Sequence, residues 1–201
     1  MKYQGFATIA FACLFSNAFA GDISYKYIEG QISTHDLDGY DNAFGLNGSF
    51  AFTPNINAVG SYSSMGIDNN INSDDYDYSI FTIGLGYHTP IAETTDVFGD
   101  VRYVSHDFNA SNGSAYATAD IADGFGLNAG IRHMFNAKFE GEASINYTDI
   151  ELDNNLANDI SFSETDYSAV GRYHFTKQFS GSLGYSTADN TDLTTSLRMN
   201  F

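Results

Sequence analysis

The last nine residues, "LTTSLRMNF" (193–201), constrain the fold more than any other stretch. Leu193, Thr195, Leu197, Met199 and Phe201 share one parity, and Thr194, Ser196, Arg198 and Asn200 share the other. Strand side chains alternate between faces, so this is a strand with one apolar and one polar side. Chain ends fray unless they are tied down, and a frayed end is normally polar. An apolar face that runs to a final phenylalanine calls for something apolar to cover it.

The same alternation recurs along the chain. Candidate strands fall at 23–33, 42–52, 56–65, 78–88, 96–107, 123–135, 139–150, 165–175, 179–188 and 192–201. Phe44, Leu46, Phe50 and Phe52 share a face, as do Phe125, Leu127, Ala129 and Ile131. In the first strand the phase is ambiguous, because Tyr25 and Tyr27 oppose Ile28 and Ile32. Most of these runs reach or exceed the ~9–11 residues of a tilted strand that crosses a bilayer.

Connections alternate in length. "TPN" (53–55), "NAK" (136–138) and "TKQ" (176–178) are tight turns, and 89–95 is a longer one on the same side. Longer connections are expected at 34–41, 66–77, 108–122 and 151–164, with a short one near 189–191. Short turns on one side and long loops on the other mark a membrane barrel with periplasmic turns. A soluble β-sandwich would also alternate in polarity, but it does not require alternating connection lengths. The fold expected is all-β: a transmembrane, antiparallel, up-and-down barrel of ten strands, with eight as the second choice.

Aromatic residues bracket the tight turns. Phe52, Phe135, Phe139, Phe175 and Phe179 stand there, and Phe201 lands at the same level. Rings at that height form the girdle of the periplasmic interface.

The N-terminus reads as a signal peptide covering 1–20. Lys2 precedes an apolar run from Phe6 to Phe15, and Ala18-Phe19-Ala20 supplies small residues for a cut after Ala20. The apolar run is too short for a spanning helix. Cys13 is the only cysteine, and Phe11-Ala12 before it suits a lipoprotein cut poorly. The domain expected to remain, 21–201, then lies outside the cytoplasm without disulfides.

Charge excludes one class of partner. The net formal charge is −17, with only eight Lys and Arg, whereas nucleic-acid backbones are bound by basic side chains. The 17 Phe and 14 Tyr also exclude a disordered chain. All four arginines, Arg102, Arg132, Arg172 and Arg198, lie on the face opposite the apolar one, together with Asp100, Glu140 and Glu142. In a barrel that face is the lumen, which at ten strands is too narrow for an open porin channel. Buried charges must pair, so these seven residues are expected to form one belt about three residues above the turns. Arg132 is expected opposite Glu142.

The long connections are acidic and hold no Lys or Arg. "GIDNNINSDDYDY" (66–78) and "ELDNNLANDISFSETD" (151–166) offer hard oxygen ligands, so divalent cations are candidate partners there. Neither has the spacing of a known calcium loop. Candidates for general-base chemistry are His106 beside Asp107, and His35 with Asp36 and Asp38. Adjacent strand residues point to opposite faces, so His106 and Asp107 make no ready dyad. No catalytic site, metal site or cofactor is assigned.

"ISYKYIEGQIS", "AFGLNGSFAFTPNINAVGSYS" and the terminal "LRMNF" together resemble the small outer-membrane β-barrel family of Gram-negative bacteria, the OmpX-like and OmpA-barrel-like proteins. The resemblance spans 21–201. It implies residence in outer-membrane lipid and recognition of Leu197, Met199 and Phe201 by the barrel assembly machinery. OmpX-like barrels have eight strands where ten are read here. The role expected is non-enzymatic, structural or interactive at the cell surface through the acidic loops. The alternative is a narrow, weakly cation-selective pore, and an outer-membrane enzyme comes third.

Overall fold

The computed structural model describes residues 23–35, 42–67, 75–111, 116–152, 160–187 and 192–201. The signal-peptide cut at Ala18 and Ala20, Cys13, and Asp36 and Asp38 all lie outside those residues, as does most of the acidic connection 66–77. The described strands are β1 (Tyr27–His35), β2 (Ala43–Ala51), β3 (Ile56–Ile67), β4 (Asp75–Ala92) and β5 (Thr95–Ser111). They continue as β6 (Tyr116–Asn136), β7 (Phe139–Leu152), β8 (Ile160–His174), β9 (Phe179–Ser186) and β10 (Asp192–Asn200). Each pairs antiparallel with its sequence neighbours, and β1 pairs with β10 to close a ten-stranded barrel. Closure leaves no free sheet edge, which satisfies the backbone without water.

Local sequence explains the tight turns. Thr53, Asn136 and Thr176 each directly follow a phenylalanine at or just beyond the end of a strand. Thr53 Oγ1 accepts from the amides of Asn55 and Ile56, and Thr176 Oγ1 from those of Gln178 and Phe179. Asn136 Oδ1 accepts from the amides of Lys138 and Phe139 at 2.9 and 3.0 Å. Short polar side chains that bond the backbone two and three residues ahead imitate a turn, which is why these types occupy these positions.

Burial is inverted relative to a water-soluble core. Phe44, Leu85, Leu127, Phe135 and Leu183 are exposed on the outer wall, while Glu29, Arg132, Glu140, Arg172 and Arg198 are buried inside. An apolar outer face around a polar lumen is the inverted alternation of a barrel that crosses a bilayer.

The phase of β1 is fixed: Ile28 and Ile32 face outward, and Tyr25, Glu29 and Ser33 face the lumen. Three expectations are corrected. Regular strand begins at Tyr27, because residues 23–26 turn inward across the barrel floor. The loop expected at 108–122 is strand on both sides: β5 runs to Ser111 and β6 starts at Tyr116, after a register shift at His106/Asp107. Likewise β4 starts at Asp75 and β8 at Ile160, so the connections expected at 66–77 and 151–164 shrink to 68–74 and 153–159. Tyr and β-branched residues with alternating parity let ladders continue beyond the apolar band.

Candidate functional site

Lumen parity brings acidic and basic side chains of five strands together at the turn side, with the 23–26 segment folded against them. β7 pairs with β8 so that Glu140 lies opposite Arg172, and β6 with β7 so that Arg132 lies opposite Glu142. β1 pairs with β10 so that Glu29 lies opposite Arg198.

Glu140 is the hub. Its side chain is fully buried, at 0% exposure. Oε1 accepts from Arg132 at 2.7–2.8 Å and from Arg172 Nη1 at 3.1 Å, and Oε2 lies 2.9 Å from His174 Nε2. Glu29 is the second hub. It pairs with Arg198, accepts from Arg172 Nη2 at 3.3 Å and from the Ser196 hydroxyl at 2.7 Å. Glu142 is a peripheral member: its carboxylate stays 3.7 Å from Arg132 Nε and 3.8 Å from Arg172 Nη1. So Arg132 does stand opposite Glu142, but it binds Glu140. A long guanidinium reaches diagonally to the carboxylate one lumen position nearer the turn, where the geometry allows two hydrogen bonds.

Asp100 and Arg102 do not join this network, contrary to the single belt expected. Asp100 takes both nitrogens of Arg102's fork and a bond from Asn128 Nδ2 at 3.1 Å. The β5–β6 register sets Asp100 opposite Asn128 and Asp96 opposite Arg132, well down the wall. Barrel strands are tilted and staggered, so equal counting from separate turns does not give equal height.

Aromatic rings complete the floor. Arg132 lies over the Tyr25 ring at 4.8 Å, and the other face of the floor carries His88 stacked on Tyr25 at 3.5 Å. Arg198 lies over Tyr27 at 3.6 Å. The chain before β1 is clamped there: Arg132 Nη1 donates to the Ser24 carbonyl at 3.0 Å, and Ser49 Oγ to that of Tyr25 at 2.8 Å. A cation over a ring keeps part of its charge compensated where water is scarce.

Further from the turns the lumen lining includes neutral hydroxyl pairs beside Asp100–Arg102. Ser61 and Thr82 are bonded at 2.7 Å, Ser144 and Ser168 at 2.6 Å, and Ser33 and Thr194 at 2.8 Å. Two cavities lie among the described lumen residues. One of about 260 Å³ lies above the ionic floor among Gln31, Asn47, Asp100 and Glu142. The other, of about 250 Å³, lies beyond Arg102 toward the loop side.

Sequence reading missed Glu29, Tyr25, Tyr27, His88 and His174. A charge count on the inner face could have found Glu29. Arg102, Arg132, Arg172 and Arg198 were matched by only Asp100, Glu140 and Glu142, and Glu29 supplies the missing anion.

On the outer wall, Phe52, Phe135, Phe139, Phe179 and Phe201 are exposed at the turn side, and Phe175 is half-buried with its ring edge-on to Tyr173. Leu197 and Met199 also face outward, opposite Gly30 and Ile28, and the Phe201 amide donates to the Lys26 carbonyl at 3.1 Å. His106 faces the lumen with Nδ1 bonded to the Tyr78 hydroxyl, and a register shift separates it from Asp107. The side chain of His35 lies outside the described residues. Among the described residues, no three His, Cys, Asp or Glu side chains cluster to hold a metal ion.

Residues 6–175 match the outer membrane protein beta-barrel domain family. The fold is similar to that of the NanC porin, with a TM-score of 0.50 and 8% identity, covering 87% of this chain and 98% of that one. It is also similar to the N-terminal β-barrel domain of Pseudomonas aeruginosa OprF, with a TM-score of 0.42 and 10% identity over 87% and 96% of the two chains. For Ail, the attachment invasion locus protein of Yersinia pestis, the TM-score is 0.43 and the identity 15%, over 86% and 94%. No curated protein sequence matches the chain. The chain belongs to the outer membrane protein beta-barrel family, and it resides in the outer membrane.

Proposed function

We propose that this barrel is a non-enzymatic, ion-tight outer-membrane protein with a structural or surface-interaction role, exercised through its acidic connections on the loop side. The observation that carries this reading is the ionic floor. Arg132, Arg172 and Arg198 are each at least nine-tenths buried against Glu29 and Glu140, with Tyr25 folded beneath them. An ion crossing that floor would have to separate buried pairs, at a cost of several kcal/mol each. The barrel wall contacts outer-membrane lipid. The terminal Leu197, Met199 and Phe201 are proposed as the segment read by the barrel assembly machinery, and the acidic connections as sites where divalent cations gather. Nucleic acid is no partner of a chain this acidic.

A second reading, a narrow cation-selective pore, draws on the two lumen cavities and the acidic loop side. Conductance of the purified barrel in a planar bilayer separates the two. Silence is the expected record. A steady open level with cation preference would replace the first reading with the second.

A further inference from the structure

The loop-side cavity differs in character from the ionic floor. Its wall is mostly apolar, with Ile80, Val104, Ile150 and Phe162 among its lining residues. Two polar atoms at its boundary are buried without a hydrogen-bond partner: His106 Nε2 and Asn128 Oδ1. His106 is 9% exposed, and its other ring nitrogen is held by the Tyr78 hydroxyl. Where the phenol donates to Nδ1 the ring hydrogen is on Nε2, which presents a donor; in the other tautomer Nε2 is an acceptor, and a hydroxyl satisfies either. An unpaired buried donor and acceptor cost free energy that a ligand bonding to them would recover.

Gly126 lines the same cavity, and it is unlike the neighbouring lumen glycines. A Cβ at Gly84 or Gly124 would strike backbone at 2.0 or 1.9 Å, so those positions are closed by the adjacent strand. At Gly126 the nearest atom is Val104 Cγ2 at 3.4 Å, an ordinary contact. The missing side chain there leaves usable space.

We propose that this cavity is a binding site for a small, uncharged molecule with an apolar body and a single hydroxyl head. Size follows from the volume, since an apolar cavity of roughly 150 Å³ accommodates benzene and this one is larger. Neutrality follows from the charges around it. Arg102 is already forked onto Asp100, and Glu164, the carboxylate that lines this cavity, already has a partner. Neither an anion nor a cation finds an uncommitted counter-charge inside. A hydroxyl can accept from His106 Nε2 or donate to Asn128 Oδ1, whereas a sugar would carry more hydroxyls than this wall can satisfy. The site lies above the ionic floor, so it is independent of whether the barrel conducts.

The test uses the whole barrel in lipid nanodiscs, with 4-fluorophenol as probe and ¹⁹F NMR as readout, against empty nanodiscs. Saturable binding to the barrel is expected. Gly126→Val, which fills the space, should weaken it at least tenfold, and His106→Phe, which keeps a ring but removes Nε2, several-fold. The anionic 4-fluorobenzoate should bind at least tenfold more weakly than the phenol. Probe uptake no greater than that of empty nanodiscs would overturn the proposal. So would binding indifferent to both substitutions, or equal binding of the benzoate. Circular dichroism of each variant establishes that the barrel is intact.

Discussion

The two ends of the lumen solve the same problem differently. Toward the turns, charged groups from β1, β6, β7, β8 and β10 are packed into one network in which Glu140 serves Arg132, Arg172 and His174. Toward the loops, the lining passes to hydroxyl pairs such as Ser61–Thr82 and to apolar side chains. The first arrangement makes each member depend on several others. The second consists of local pairs, each replaceable at small cost. Strength at the floor therefore comes with fragility to single substitutions, and the loop half should tolerate change.

Glu140→Gln should have the largest effect. It leaves two buried guanidinium groups short of their shared carboxylate, a loss of about 3–5 kcal/mol for a broken buried pair. Urea unfolding from lipid vesicles measures it, and a loss below about 1 kcal/mol would mean that the floor is hydrated. Tyr25→Leu keeps apolar bulk but removes the ring beneath Arg132 and against His88, and should cost about 1–2 kcal/mol in the same assay. A neutral result would show that the residues before β1 do not brace the floor. Thr82→Val deletes one neutral hydrogen bond to Ser61 and should cost about 0.5–1.5 kcal/mol. A loss matching that of Glu140→Gln would erase the contrast between the two halves.

The smallest effect is expected from Glu142→Gln, since its carboxylate approaches Arg132 and Arg172 no closer than 3.7 Å. A double-mutant cycle with Arg132→Gln should give a coupling below about 1 kcal/mol. The parallel cycle of Arg132→Gln with Glu140→Gln should give a clearly larger one. Equal couplings would mean that Arg132 divides itself between the two carboxylates.

Wall geometry was legible in the sequence because one physical rule writes it: period-two alternation between lipid and lumen. Phe135 and Phe139 about "NAK" fixed the hairpin register, and Arg132 does lie opposite Glu142. Two kinds of information were not legible. Tyr25 and Tyr27 count as apolar in a parity test, yet they face inward to cover arginines, so β1 looked ambiguous and Glu29 was lost with it. Choice of partner was also hidden. Register names the residue directly opposite, whereas Arg132 and Arg172 reach across diagonals that depend on tilt and side-chain length. The 108–122 segment failed differently: it was read as one long connection, while pairing of β5 with β6 extends the ladder as far as Ser111 and Tyr116.

The position of Glu29 also bears on how the barrel is completed. Every strand pair except β1–β10 joins neighbours in the chain, so those ladders can form by successive local hairpins. The last seam must bring together the two ends of the domain, and its side-chain ties link residues as far apart in sequence as Glu29 and Ser196. On the inner face, Glu29 is contributed by the first strand and Arg198 by the last. An unclosed sheet therefore carries opposite, unmatched charges on its two free edges, and these attract each other. A slip of β1 by one residue at the seam would turn Glu29 toward lipid and leave Arg198 in the lumen without it. The pair thus favours the one alignment in which the ends of the barrel neutralise each other.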